Sequence, residues 1–305
     1  LGIEDIVSVD YIDPRDRFDD LKIHSHVHPK FFIEGVERFV QGVDIVFHQG
    51  ANTCTTDHSE KMINDNFDYS KKILDACLKR DIRLIYASSA AVYGLAENGF
   101  SILRDCESPL NIYGFSKLMF DDYVRSVLRL SRNNTQVSGL RYFNVYGPGE
   151  SHKGKMASTI FHFYNQAKLT GVINPFSGSE NFYRDFIYVD DIINHVMFLF
   201  KNDSISGIFN CGTGNERSFL DVAKIVSNIT NSKIEEIDFP EKREDMRINQ
   251  SQPDLKQILK SALTDKDFSS EYINQDEKDY FLNNFESISF YKGNFNEMAV
   301  IKKKQ

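Results

Sequence analysis

Apolar positions in the first half of the chain follow two different spacings. Short runs rich in Val, Ile and aromatic residues cover residues 5–10, 44–50, 82–89 and 137–147. Runs of this kind are typical of strands that are buried on both faces. Residues 61–80 and 116–130, which lie between such runs, carry apolar side chains at helical spacing. This alternation predicts an α/β fold, a doubly wound parallel sheet with helices on both faces.

Polar residues follow each predicted strand. Asp10 ends the first, the "HQGA" turn (48–51) follows the second, Ser88 and Ser89 end the third, and Asn144 lies near the end of the fourth. One such residue would be ordinary turn chemistry. Four in succession indicate a ligand site, because doubly wound sheets bind ligands beyond the carboxyl ends of their strands.

Asp10 suggests a dinucleotide. In a Rossmann-like sheet, an acidic residue that ends the second strand binds the adenosine ribose, about 20 residues after a Gly-x-Gly-x-x-Gly turn. Only nine residues precede Asp10, and they contain no such turn. We therefore expect the first strand and its phosphate-binding loop to lie upstream of Leu1, and the 305 residues alone to bind dinucleotide poorly.

The segment "NIYGFSK" (111–117) supplies candidate chemistry. Tyr113 and Lys117 share one helix face and follow the strand-end Ser89. The ammonium group and a cationic oxidised nicotinamide would lower the pKa of the phenol, and Ser89 would hold the substrate oxygen while Tyr113 removes its proton. A second Tyr-x-x-x-Lys, Tyr164 and Lys168, has no preceding strand-end serine, so we assign it to the helix surface.

Composition excludes several classes of protein. The net charge is −8 and the basic residues are scattered apart from the terminal "IKKKQ", which argues against binding to nucleic acid or to a membrane surface. No apolar run approaches the length of a membrane span. The four cysteines have neither disulfide-framework nor metal-site spacing, so we expect reduced thiols, no metal and a cytoplasmic location.

Several motifs together carry a family resemblance. "YASSAAVYG", "NIYGFSK" and "RYFNVYGPGE" resemble the extended short-chain dehydrogenase/reductase superfamily. "SHKGKMAS", "FSGSENFYRDFIYVDD" and "GIFNCGTG" resemble, within its NAD-dependent epimerase/dehydratase family, the ADP-L-glycero-D-manno-heptose 6-epimerases. The resemblance covers about residues 5–255. It is strong to Gly214 and weaker afterwards, and the pattern of the family is lost from about Ser261.

The resemblance implies an enzyme that inverts C6 of an ADP-linked heptose for the lipopolysaccharide inner core. A bound NADP, or NAD, would oxidise C6 and return hydride to the opposite face. Because the substrate must react in two orientations, the resemblance implies two bases, Tyr113 and Lys153, with Ser89 and Lys117 beside them. It also implies a homo-oligomer, a pentamer in this family, and ADP-heptose as the partner molecule.

Other site residues come from the resemblance position by position. Those implied for the cofactor are Asp10, Tyr11, Arg17, Lys30, Gln49, Gly50, Ala51, Asn66, Lys117 and Val145. Arg17 and Lys30 would bind the 2′-phosphate of NADP, whereas Asp10 alone favours NAD. Those implied for the substrate are Ser89, Asn144, Lys155, His162, Phe176, Ser177, Gly178, Ser179, Arg184 and Arg247.

Three of these residues leave alternatives open. Arg184 suits a diphosphate, and its alternative is a salt bridge to Asp185 or Asp190. Lys153 and His162, taken alone, fit a solvated loop charge and a packed histidine. Arg247 stands where the family carries an aromatic residue.

We expect two domains. Residues 1–149 and 186–233 would form the dinucleotide-binding domain, and residues 150–185 and 234–305 a smaller C-terminal substrate domain. Two other functions stay open: another nucleotide-sugar epimerase, of the 4-epimerase type, and a non-catalytic truncated sugar-nucleotide-binding remnant. A dehydratase is disfavoured because Ala90 and Ala91 follow Ser89, where those enzymes usually carry an acidic residue.

Overall fold

The computed structural model describes residues 5–16, 22–55, 59–130 and 134–238. The strands are β1 (Val7–Val9), β2 (Ser25–Val27), β3 (Ile45–His48), β4 (Arg83–Ser89), β5 (Val137–Tyr142), β6 (Asn144–Tyr146), β7 (Val172–Ile173), β8 (Tyr183–Tyr188), β9 (Gly207–Cys211), β10 (Glu216–Ser218) and β11 (Lys233–Ile234). The helices are α1 (Pro29–Glu34), α2 (Val36–Phe39), α3 (Glu60–Ile63), α4 (Tyr69–Leu78), α5 (Ile112–Leu130), α6 (Thr159–Thr170), α7 (Val189–Lys201) and α8 (Phe219–Thr230).

A parallel sheet with the order β3-β4-β5-β9 is the centre of the fold. Alternate residues of β4 enter different cores. Leu84 and Tyr86 pack with the residues of α4 and α5, whereas Ile85 packs with Ile192 and Leu199 of α7. Helices therefore cover both faces of the sheet, and the predicted doubly wound α/β architecture is confirmed.

Smaller sheets accompany the central one. β1 and β2 form a parallel pair, β10-β8-β6 form a mixed sheet, and β7 pairs with β11. The helix predicted over residues 61–80 is confirmed, although Asn64–Asp68 between α3 and α4 is a π-helical turn.

The prediction of one strand over residues 137–147 was wrong. The amide of Phe143 donates to the carbonyl of Cys211 at 3.2 Å, and the chain then leaves the central sheet. β6 begins at Asn144 and pairs with β8 instead. Asn144 is therefore the first residue of a strand in the second sheet rather than the end of a strand in the first.

A third core lies around α6 and α8. Phe163 and Ala167 of α6 pack with Ile173 and with Val222 and Val226 of α8. The division of the chain into two domains remains a proposal, and this packing favours assigning α8 to the smaller domain rather than to the segment 186–233.

A buried ionic network joins the central sheet to α5. Arg141 on β5 and Asp121 on α5 have fully buried side chains, and Arg141 Nε donates to Asp121 Oδ2 at 2.9 Å. The same guanidinium pairs with the buried carboxylate of Glu107, in the loop before α5. Tyr86 and Ser88 on β4 each donate to Asp121 at 2.9 Å. The carboxylates of Asp121 and Glu107 therefore join four segments: β4, β5, α5 and the loop before α5.

We predict that Asp121→Asn lowers the free energy of unfolding by about 3 kcal/mol, because a buried charge network loses one partner while the shape is kept. Urea unfolding measures this loss. Glu37→Gln is the control, since Glu37 pairs with Lys79 and Arg80 on the exposed surface and its replacement should change little. Equal stability of the Asp121→Asn variant and the wild type would show that the network contributes nothing.

Candidate active site

Ser89 and Tyr113 meet at the carboxyl end of β4. Ser89 is the last residue of β4, and its Oγ accepts the amide of Ala91 at 3.1 Å. Tyr113 lies in the first turn of α5, and its phenol is close enough to the Ser89 hydroxyl for the serine to lower its pKa in part against the effect of burial. Asn111 Oδ1 caps the helix by accepting the amide of Gly114 at 2.8 Å. The cap and the strand end fix the two hydroxyl groups against each other.

Gly114 allows this close approach. A Cβ atom at this position would lie 2.7 Å from the carbonyl oxygen of Ala91 and 3.1 Å from Cβ of Pro109. The backbone of α5 therefore passes directly over the turn that follows Ser89, a packing that only glycine permits.

Lys117 is buried one turn beyond Tyr113. Its Nζ donates to the carbonyl of Ala87 on β4 at 2.9 Å. Removal from water lowers the pKa of Lys117 to about 8, although Asp121 acts in the opposite direction. Burial, together with the Lys117 charge, also lowers the pKa of His48 to about 3, so that this imidazole is neutral.

The expected lowering of the pKa of Tyr113 by Lys117 is not supported. Burial raises this pKa, and the nearby Ser89 hydroxyl opposes the rise only in part. The residues of the chain therefore favour the protonated phenol. A cationic nicotinamide, the other group that we expected to lower this pKa, would have to favour the phenolate.

Gln49 and Asn66 hold the segment that follows β3. Tyr142 donates to Gln49 Oε1 at 2.7 Å. Asn66 is buried in the π-helical turn, donates to Ser116 Oγ at 3.0 Å and exchanges two hydrogen bonds with the backbone of Asn52. The amide of Asn66 is thus occupied by protein groups, which indicates that it shapes the loop.

The other positions implied for the cofactor are at or near strand ends. The space around Gly50 is open, since a Cβ atom there would meet nothing within 4 Å. Asp10 Oδ1 accepts the amide of Ile12 at 3.3 Å beyond β1, and the neighbouring Tyr11 is 71% exposed. Lys30 is exposed in the first turn of α1. The remaining positions are Ala51, which follows Gly50, and Val145, which is partly buried on β6, whereas Arg17 lies outside the described residues.

A cavity of about 1050 Å³ lies beside Ser89. Its walls come from the ends of β4, β5 and β9 and from β8 and β10. Of the residues implied for the substrate, Ser89, Asn144 and Arg184 line it. The volume is ample for a small-molecule ligand.

Arg184 enters this cavity without a carboxylate partner among the described residues. Its Nη1 donates to the carbonyl of Tyr183 at 2.7 Å, and its guanidinium lies 5.9 Å from the centre of the Phe219 ring. Asp185 instead accepts the amides of Thr213 and Gly214, at 3.0 and 2.8 Å. The alternative of a salt bridge to Asp185 or Asp190 is therefore wrong. Removal from water lowers the pKa of Arg184 to about 10, which indicates a cation that lacks a counter-charge.

Lys153 lies on an exposed loop. It is within the 3₁₀ turns of Glu150–Met156, as is the exposed Lys155, and neither is among the residues that line the cavity in the described chain. Glu150 ties the loop together, since its carboxylate accepts the amide of Gly147 at 3.0 Å and that of Ser158 at 2.7 Å. The structure thus anchors the base of the loop, and the role of Lys153 remains a prediction.

The last implied positions lie on and beyond α6. His162 is partly buried on α6 and packs edge-on against Phe161. Phe176 is 38% exposed, and the amide of Ser177 donates to the carbonyl of Ile237 at 2.8 Å. Gly178 has φ of 83°, and the buried Oγ of Ser179 has no hydrogen-bond partner in the described chain. Arg247 lies outside the described residues.

Sequence reasoning missed Asn111, Asn210 and Arg217, which also line the cavity. Asn111 could have been recognised as a helix cap before "IYGFSK". The sequence gives no comparable signal for Arg217, because the register that places it was not predicted.

The fold and this site define a member of a known family. A family model described as the NAD dependent epimerase/dehydratase family matches residues 33–212. The chain belongs to that family. None of the helices in the described ranges is both long and apolar enough to cross a membrane.

Particular relatives narrow the comparison. The chain is 45% identical over 276 residues to the ADP-L-glycero-D-manno-heptose-6-epimerase of Brachyspira hyodysenteriae, covering 88% of this chain and 86% of the relative. The crystal structure of the Helicobacter pylori ADP-L-glycero-D-manno-heptose-6-epimerase is similar, with a TM-score of 0.68, 29% identity and coverage of 77% and 76%. The Thermus thermophilus UDP-glucose 4-epimerase in complex with NAD gives a TM-score of 0.56, 27% identity and coverage of 67% and 68%.

We predict that Gly114→Ala destabilises the protein. Glycine-to-alanine changes inside helices usually add up to about 1 kcal/mol of stability. Here the clash with Ala91 should cost about 1–3 kcal/mol and reverse the sign. The urea midpoint measures the change, with Lys168→Ala on the exposed face of α6 as the control. A raised midpoint for the Gly114→Ala variant would show that α5 can move away from the turn.

Proposed function

We propose that the protein epimerises C6 of ADP-D-glycero-D-manno-heptose to give ADP-L-glycero-D-manno-heptose, for the supply of lipopolysaccharide inner-core heptose. The observation that carries the proposal is the Ser89–Tyr113 pair, with Lys117 buried behind it, at the edge of a cavity that contains the unpaired Arg184. The 45% identity to the Brachyspira hyodysenteriae epimerase supports the choice of substrate.

The residues at the strand ends fit a nicotinamide dinucleotide. Asp10 beyond β1 would bind the adenosine ribose, the open space at Gly50 would admit the dinucleotide backbone, and Lys117 would contact the nicotinamide ribose. When bound, the dinucleotide accepts hydride from the substrate carbon and returns it. We propose NADP, with NAD tolerated, because Lys30 is exposed and available for a 2′-phosphate.

The chain's own residues position the substrate and move its proton. Ser89 Oγ would hold the C6 oxygen, and Tyr113 would take the hydroxyl proton. Burial lowers the pKa of Lys117 only to about 8, so this side chain keeps its charge in most molecules at neutral pH. Lys117 does not lower the pKa of Tyr113, and a bound cationic nicotinamide would have to favour the phenolate. Arg184 would bind the diphosphate in a fork. Re-protonation from the opposite side of the sugar requires a second group, and we assign it to Lys153.

Three further features belong to the proposal. Lys155, His162, Asn144 and the segment from Phe176 to Ser179 would contact the substrate, and the unpartnered Oγ of Ser179 supports this for that segment. We also propose a cytoplasmic location and a homo-oligomer, a pentamer by family resemblance. The proposed division places the cavity where the dinucleotide-binding and substrate domains meet.

The direct test is to incubate the full-length protein with ADP-D-glycero-D-manno-heptose and NADP, or NAD, and to follow the C6 configuration by NMR. We expect epimerisation, faster with NADP. Tyr113→Phe keeps the ring and removes the proton acceptor, so turnover should fall by at least about 10²-fold. Wild-type protein that leaves C6 unchanged would refute the proposed function. Near-normal turnover by the Tyr113→Phe variant would refute only the role of the tyrosine.

Lys153 has its own test. We expect Lys153→Met to stop epimerisation while ADP-heptose still binds, because only the second substrate orientation loses its proton carrier. Lys168→Met is the matched control and should be silent, since Lys168 lies on the exposed face of α6 against Tyr164. Normal epimerisation by the Lys153→Met variant would return Lys153 to the status of a solvated loop charge.

A further inference from the structure

Two arginines lie directly opposite each other on neighbouring strands of the cavity wall. β10 pairs antiparallel with β8, and the register places Arg217 against Arg184. Directly opposed residues of an antiparallel pair point to the same face of the sheet, with Cβ atoms about 5 Å apart. Both residues line the cavity described above.

Neither guanidinium forms a direct ion pair among the described residues, although Asp185 and Glu216 also line the cavity. Like charges directly across a strand pair destabilise the sheet. Among the described residues no carboxylate forms an ion pair with Arg184 or Arg217, and the nearby Asp185 is occupied by the turn at Thr213 and Gly214. The lowered pKa of Arg184 agrees with a cation that lacks a counter-charge.

The two cations differ in their surroundings. Arg184 is partly buried against the Phe219 ring, whereas Arg217 is exposed at the cavity wall. Because the two residues are opposed on adjacent strands and line the same cavity, one ligand anion could contact both. An anion with two charged groups would engage both guanidinium forks, while a single phosphate would engage one of them.

We propose that Arg217 is a second diphosphate-binding residue, which together with Arg184 forms a two-arginine clamp for a nucleoside diphosphate. This inference deepens the proposed function and rests on it for the identity of the nucleotide. Opposed on adjacent strands, the two residues each supply a planar donor fork to one ligand. Arg217 is therefore a determinant of substrate affinity rather than a proton carrier.

The test compares ligands that differ only in phosphate number. ADP, AMP and adenosine are titrated calorimetrically into the full-length protein at saturating NADP, for the wild type, Arg217→Gln, Arg217→Lys and Arg184→Gln. Arg38→Gln on α2, outside the cavity lining, is the matched control for the loss of one positive charge. We expect Arg217→Gln to weaken ADP about 10- to 100-fold, AMP less and adenosine not at all. Arg217→Lys should be intermediate, and the control should match the wild type.

The outcomes separate the clamp from the proposed function. In the epimerase assay, Arg217→Gln should raise KM more than it lowers kcat, because the contact is uniform binding. Wild-type ADP affinity in Arg217→Gln, with a loss in Arg184→Gln, would overturn the clamp and leave the epimerase proposal standing. If Arg217→Gln weakens ADP more than AMP or adenosine, and the wild-type protein leaves C6 of ADP-heptose unchanged, the clamp is supported and the epimerase proposal is refuted.

Discussion

The buried pairing of Arg141 with Asp121 and Glu107 is the constraint on which the site depends. It fixes α5 and the loop before it against β4 and β5. The position of Tyr113 on α5 relative to Ser89 on β4 therefore depends on this network. Ionic groups without water tolerate little misalignment, because an unpaired buried charge costs several kcal/mol. An apolar contact in the same place would permit sliding. The network therefore restricts movement of α5 and keeps a defined distance between the end of β4 and the helix.

Much of the architecture could be predicted because it follows from local periodicity. β3, β4 and α5 are apolar patterns with clear spacing, and the two-faced burial of β4 follows from its composition. The Ser89–Tyr113 pairing could also be predicted, since parallel strands present their carboxyl ends at one edge. The close packing of Gly114 against the turn after Ser89 could also have been predicted, because a glycine inside a helical pattern often marks a close approach of another segment.

The remainder depends on tertiary relations that one sequence does not encode locally. The departure of the chain at Phe143 is set by a hydrogen bond to Cys211, which is distant in sequence. The opposition of Arg184 and Arg217 needs the register of β8 and β10, and a slip of one residue would turn one of them to the other face. The raised pKa of Tyr113 required knowledge of burial, because charge spacing alone suggested the reverse.

The carboxylate of Glu150 has a consequence for how this enzyme family can diversify. Its hydrogen bonds with the amides of Gly147 and Ser158 hold the two ends of the Lys153 loop together. The scaffold therefore bears the conformational entropy cost of closing the loop. Lengthening such a closed loop costs little, about 0.6 kcal/mol for each doubling. The length and the side chains of residues 151–156 can thus vary without disturbing β4 and α5, which carry Ser89 and Tyr113.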